Sequence, residues 1–147
     1  IAAFSVAAEF KGVRAQILVE DHAINTRALL ALASNIQLYA SIFNIAPQAR
    51  MDDGLLDIFV FKGLGFQYAL RHLLFIFSGR YLRDPRVVYA LARQVQMETS
   101  PEVAVHLDGE PFGETPTLIH LEAGVLRLVV PPQAPHELFS RPPEQVV

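Results

Sequence analysis

A chain of 147 residues is long enough for one ordinary domain with a sizeable core. At 52% hydrophobic and 18% charged, it is neither disordered nor collagen-like. A formal charge of −3 denies it the whole-domain basic footprint of a nucleic-acid binder, and the absence of cysteine excludes disulfides, thiolate zinc sites and cysteine nucleophiles.

No charged stretch followed by an apolar run stands at Ile1, so no secretory signal is expected and the compartment reads as cytoplasmic. Phe10–Asp21 reads as a strand, because Val13, Ala15, Ile17 and Val19 alternate with Arg14, Gln16 and Leu18. Arg27–Ala40 is ambiguous: its composition suits a helix, but its continuous apolar run also suits a strand buried on both faces. Next come Pro47, an Asp52-Asp53-Gly54 turn and a strand over Leu55–Lys62. Gly65–Gly79 is the clearest helix, bounded by glycines with apolar residues at helical spacing. It is the longest apolar stretch, yet Arg71 and His72 interrupt it and it is too short to span a bilayer.

After a polar break around Pro85, Val87–Thr99 reads as one strand, with Val95 and Met97 alternating with Gln94, Gln96 and Glu98. Three shorter strands are predicted over Val103–Asp108, Thr117–Glu122 and Val125–Val130. Residues 132–147 form a proline-rich tail, expected to fray or lie along the surface, and residues 1–131 form the domain. The fold class is mainly β (α+β): a β-sandwich or distorted barrel of short, mostly antiparallel strands, with one main helix on its side.

Two carboxylates flank a glycine in Asp108-Gly109-Glu110. Taken alone, Asp-Gly is a common turn dipeptide, and Glu110 precedes Pro111, which favours a loop. A rival reading is a metal site, since His106, Asp108 and Glu110 would share one face of a continuous strand. Gly109 argues for a break in such a strand. Asp52-Asp53-Gly54-Leu55-Leu56-Asp57 is either a turn with solvated aspartates or an oxygen-rich pocket for a hard cation. The helix is apolar on nearly every side, with Arg71, Arg80, Arg83 and Arg86 along or after it. It reads either as a core helix, with Phe66, Tyr68, Phe75 and Phe77 packed inside, or as a surface facing lipid, basic at the rim.

Two stretches together carry more. Asn44–Phe61 has Pro47 and Ala49 ahead of Asp53-Gly54-Leu55-Leu56-Asp57, and Val103–Pro131 has Asp108-Gly109-Glu110 followed by an apolar run closing on Pro131. In this order, with a helix between them, they resemble the C-terminal domain of the diacylglycerol kinase and sphingosine kinase family of soluble lipid kinases. The resemblance implies transfer of the γ-phosphoryl of ATP to a lipid hydroxyl. Asp108 is then the base that takes the hydroxyl proton, with Glu110 beside it to orient it or to contact catalytic Mg²⁺. It also implies a structural Mg²⁺ held by the Asp53 side chain and the main-chain carbonyls of Arg50 and Leu55. The family's nucleotide site lies in an N-terminal domain with a Gly-Gly-Asp-Gly-Thr loop, and no such loop occurs here. On this resemblance the chain is the second half of a two-domain kinase, inactive alone. Its partners are that ATP-binding domain, a lipid substrate and, transiently, a membrane surface; a homodimer is open and nucleic acid is not expected. The alternative is a non-catalytic β-sandwich module that binds lipid or carbohydrate.

Overall fold

Alternation builds the first strand. In the computed structural model of the chain, which describes residues 12–39, 43–131 and 133–141, β1 (Val13–Val19) buries Ala15, Ile17 and Val19 and turns Arg14, Gln16 and Leu18 outward. β2 (His22–Ser34) pairs with it antiparallel, which resolves the ambiguous segment as a strand. A register shift between Ala28 and Leu30 re-phases β2. Ahead of it, Ile24 and Ala28 face the first core; beyond it, Ala31 and Ala33 do, and Leu32 turns to the second. That bulge accounts for the unbroken apolar run.

Two short strands follow as one antiparallel pair, β3 (Leu38–Tyr39) with β4 (Phe43–Asn44). Next is β5 (Leu56–Lys62), buried at every position from Leu56 to Phe61. Leu56, Ile58 and Val60 enter the first core, while Phe59 and Phe61 enter the second beneath the helix α1 (Phe66–Phe77). A strand covered on both faces has no reason to alternate.

The remaining strands are β6 (Val87–Ala92), β7 (Gln94–Ser100), β8 (Ala104–Leu107), β9 (Glu110–Glu114) and β10 (Thr117–His120). The main sheet has six strands in the order β10-β7-β1-β2-β5-β6. The single strand expected over Val87–Thr99 is therefore two strands. Arg93 alone separates them, yet β6 lies at one edge of the sheet and β7 four positions away. Four strand spacings in a flat sheet span roughly 19 Å, and one residue bridges roughly 7 Å. The sheet must therefore curl until its margins approach. Ala92 and Val95 then point into the same interior as Ile17 and Ile58. The Glu20 carboxylate, at the β1–β2 turn, ties the joint by accepting from the backbone N–H groups of Arg93 and Gln94. A cavity of about 30 Å³ remains inside the curl, too small for a lipid chain.

Residues 125–130 are not a strand; they form no ladder with any described strand, and Val125, Leu126, Leu128 and Val129 are exposed, from 59% at Leu128 to 97% at Val129. Apolar patterning reports which side chains gain from burial, not whether a sheet edge is within reach. β10 ends at His120, and the turn at 123–124 leads the chain off that edge. The core-helix reading of α1 needs a similar correction. His72 is buried and Phe75 and Ile76 pack on the second core, but Phe77 is 66% exposed. The second core centres on aromatic rings: Phe59 stacks on Tyr89 at 5.1 Å and meets Tyr81 edge-on at 5.9 Å. The buried Tyr81 hydroxyl donates to the Ile45 carbonyl at 2.6 Å, and burial pushes its pKa up to about 12.

Candidate active site

Asp108 and Gly109 are the two central residues of a hairpin loop joining β8 to β9, with Leu107 opposite Glu110. Both have positive φ, 51° and 91°. That is the backbone of a type I′ hairpin turn, for which Asp-Gly is a preferred pair. The strand expected over Val103–Asp108 thus runs Ala104–Leu107, and the segment through Pro111, where proline favours a loop, is the strand β9. His106 sits opposite Pro111 beyond a register shift. The continuous strand face that a His106–Asp108–Glu110 metal site needs does not form, and the described residues hold no cluster of three His, Cys, Asp or Glu side chains suited to a metal.

The hairpin stands apart from the main sheet, yet its base is anchored. Thr115 is 2% exposed, and its hydroxyl accepts from the Val103 N–H at 3.0 Å while also bonding the Thr99 hydroxyl. Its own N–H donates to the Val103 carbonyl at 2.9 Å. Thr99 lies on β7, so the anchor ties the hairpin to the main sheet. The Asp108 and Glu110 side chains project at the tip, exposed, with no side-chain hydrogen bond among the described residues. The two-residue turn sets the backbone at Asp108 and leaves its carboxylate free to meet a ligand.

Arg50, Asp53 and Leu55 come together in one loop ahead of β5. The Leu55 N–H donates to Asp53 Oδ1 at 2.9 Å, an Asx turn that orients the carboxylate. The described part of the tail docks on this loop. The Leu138 carbonyl accepts from the Met51 N–H at 2.9 Å, and the Asp52 carboxylate accepts from the N–H groups of Ser140 and Arg141. Partial desolvation pushes the Asp52 carboxyl up, but those hydrogen bonds outweigh it and hold the group below its ordinary value. No hydrogen bond or ion pair among the described residues joins this loop to the Asp108 hairpin.

Two acids are buried: Asp57, which the sequence leaves either facing water or bonded to a neighbouring strand, and Asp84. Asp57 is 1% exposed and accepts from the Tyr89 hydroxyl at 2.8 Å. Burial raises its pKa, the Tyr89 bond opposes that rise, and the nearby Asp53 charge adds to it. Burial, then Asp57 itself, pushes the Tyr89 hydroxyl up as well. Asp84 bonds Arg71 at 2.8 Å, which holds its carboxyl below the usual range against burial. Asp57 was legible only as an acid inside an apolar strand; its donor lies 32 residues away and depends on β5–β6 register.

Comparison with known proteins gives the chain a family. Residues 1–130 match the family described as the YegS C-terminal NAD kinase beta sandwich-like domain. A diacylglycerol kinase from Staphylococcus epidermidis is 26% identical over 117 residues, 79% of this chain and 37% of that protein. One from Bacillus subtilis is 26% identical over 72 residues, 49% of this chain and 24% of that protein. Among solved structures, a diacylglycerol kinase from Bacillus anthracis superposes with a TM-score of 0.60 at 22% identity, covering 82% of this chain and 43% of that one. The chain thus spans little more than a third of the Staphylococcus epidermidis relative's length.

Proposed function

Because the chain belongs to the YegS C-terminal NAD kinase beta sandwich-like domain family, we propose that it is the acceptor-side domain of an ATP-dependent lipid kinase of the diacylglycerol kinase type. The observation that carries the reading is the Asp-Gly-Glu at the tip of an anchored hairpin, within a chain that aligns with diacylglycerol kinases over 79% of its length.

In this reading the lipid hydroxyl approaches Asp108, and the carboxylate takes its proton as the oxygen attacks the γ-phosphorus of ATP. A new O–P bond forms, the bond to the bridging oxygen breaks, and ADP leaves. Glu110, across the turn, orients Asp108 and the hydroxyl. A second domain of the same protein holds ATP, since this sequence has no Gly-Gly-Asp-Gly-Thr loop. A water-insoluble acceptor brings the protein to the cytoplasmic face of a membrane as a peripheral visitor. No described helix is long and apolar enough to cross one.

The loop at Asp53 suits Mg²⁺ by its donors: one carboxylate already oriented by the Leu55 N–H, with the Arg50 and Leu55 carbonyls, all hard oxygens. Bound there, Mg²⁺ supplies charge that fixes the loop leading into β5. Millimolar Mg²⁺ is expected to raise the melting temperature of the protein, and Asp53→Ala to abolish that increment. An equal Mg²⁺ effect in the variant removes Asp53 as a ligand.

The function is tested by incubating the intact protein with ATP and diacylglycerol in mixed micelles. Phosphorylated lipid is expected, and residues 1–147 alone are expected to stay at background. Full turnover by residues 1–147 would sink the assignment of nucleotide binding to another domain.

A further inference from the structure

Between Lys62 and Arg83 the chain carries four cationic side chains, Lys62, Arg71, Arg80 and Arg83, and no carboxylate, although its net charge is −3. This stretch is α1 with its flanks. Among the described residues the one ion pair is Arg71 with Asp84, so the other three cations have no carboxylate partner there.

The helix itself is inverted relative to a surface helix. His72, Phe75 and Ile76 face the second core. The opposite face, where polar residues belong, presents Leu70, Leu73, Leu74 and Phe77 at i, i+3, i+4 and i+7, exposed by 41%, 46%, 60% and 66%. At the N-terminal end of α1 lies an open groove of about 540 Å³, bordered by Arg27, Lys62 and Arg86. The ladder brings these together: the Lys62 N–H donates to the Arg86 carbonyl at 2.8 Å, and the Gly63 N–H to the Arg27 carbonyl at 3.0 Å. Arg86 lies over the Tyr68 ring at 4.6 Å. Gly63 lets that ring seat, since a Cβ there would stand 2.7 Å from the Tyr68 Cβ. Leu64, 45% exposed, lines the same groove and joins it to the helix.

We propose that the α1 side of the domain docks on an anionic phospholipid bilayer. The ridge of Leu70, Leu73, Leu74 and Phe77 enters the boundary between headgroups and acyl chains, and the Arg27–Lys62–Arg86 groove holds a lipid phosphate. Lipid kinase activity, as proposed above, supplies the reason for visiting a membrane; the helix and the groove supply the place. Charge complementarity selects this occupant. A second copy of the chain brings the same cations and no carboxylate on this stretch, whereas an anionic bilayer offers an apolar layer beneath an array of phosphates.

The test is co-sedimentation of the intact protein with vesicles of phosphatidylglycerol and phosphatidylcholine, against vesicles of phosphatidylcholine alone. Binding is expected only to the anionic vesicles, and to weaken as salt is added. The pair Arg27→Gln with Arg86→Gln is expected to weaken it about thirtyfold, at about 1 kcal/mol per cation near the surface. Arg27→Lys with Arg86→Lys should retain it, which separates lost charge from lost folding. Leu73→Gln with Leu74→Gln, both at exposed positions, should also weaken binding by tenfold or more, with about 0.8 kcal/mol lost per CH₂ withdrawn. Equal binding to both vesicle types, or unchanged binding by either glutamine pair, overturns the proposal. So does a leucine pair that loses self-association instead of vesicle binding. Asp108→Asn is the control: vesicle binding should survive it. If its turnover is unimpaired while the arginine pair loses vesicle binding, the kinase reading falls and the docking surface stands. If its turnover collapses while vesicle binding ignores the surface variants, the reverse holds.

Discussion

Replacing Asp108 by asparagine in the intact protein is expected to lower kcat by about 10²–10⁴-fold, the usual worth of a positioned general base. The KM for ATP should hardly move if, as proposed, the nucleotide is held by another domain. Asparagine is nearly isosteric and tolerates positive φ, so the turn at φ 51° should keep its shape. Loss of rate would then report loss of the base and not of the hairpin. Glu110→Gln should give a smaller drop, since the role proposed for Glu110 is to position its neighbour. A second variant tests the support. Thr115→Val removes the hydroxyl that accepts from the Val103 N–H; it should lower kcat with Asp108 still present. Unchanged turnover in Asp108→Asn would leave the domain a binding module.

Phe59→Ala is expected to be the most damaging core substitution for stability, at about 3–5 kcal/mol. The side chain is 1% exposed and lies between the rings of Tyr89 and Tyr81. Its removal opens a cavity that β5, hydrogen-bonded on both sides, has little freedom to fill. Against a typical total of about 5–15 kcal/mol, that loss should lower the melting temperature by roughly 10–20 °C. Phe77→Ala is the comparison. At 66% exposure it should change stability by less than about 0.5 kcal/mol. Equal melting of the two variants would mean that the second core is not where the fold draws its stability.

Much of the architecture was legible because period-two patterning is local. β1 was plain in the alternation of Ala15, Ile17 and Val19 with polar neighbours, and α1 in its glycine-bounded apolar run. Division at Arg93 was not, since Ala92 and Val95 are both apolar and nothing in the local pattern marks a change of partner. The run from Val125 misled for the opposite reason: its composition suits a strand, but pairing depends on a neighbour that composition does not describe. At the site, Asp108-Gly109 was read correctly as turn chemistry, and the structure adds which turn and what anchors it. The Asp57–Tyr89 pair and the groove of Arg27, Lys62 and Arg86 each combine residues from different strands. Such sites exist only once register is set, so no window along the chain contains them.

The joint at Arg93 also bears on how the chain folds. β1 and β2 meet across a short turn, but β7 meets β1 through partners as distant as Arg14 and Ser100. Closing a loop of that length costs chain entropy before the contacts reward it. One residue leaves no slack between β6 and β7, so seating one strand constrains the other. The curl should therefore close in a single late, cooperative step, with Ala92 and Val95 entering the interior together, and the domain should fold slowly for its size.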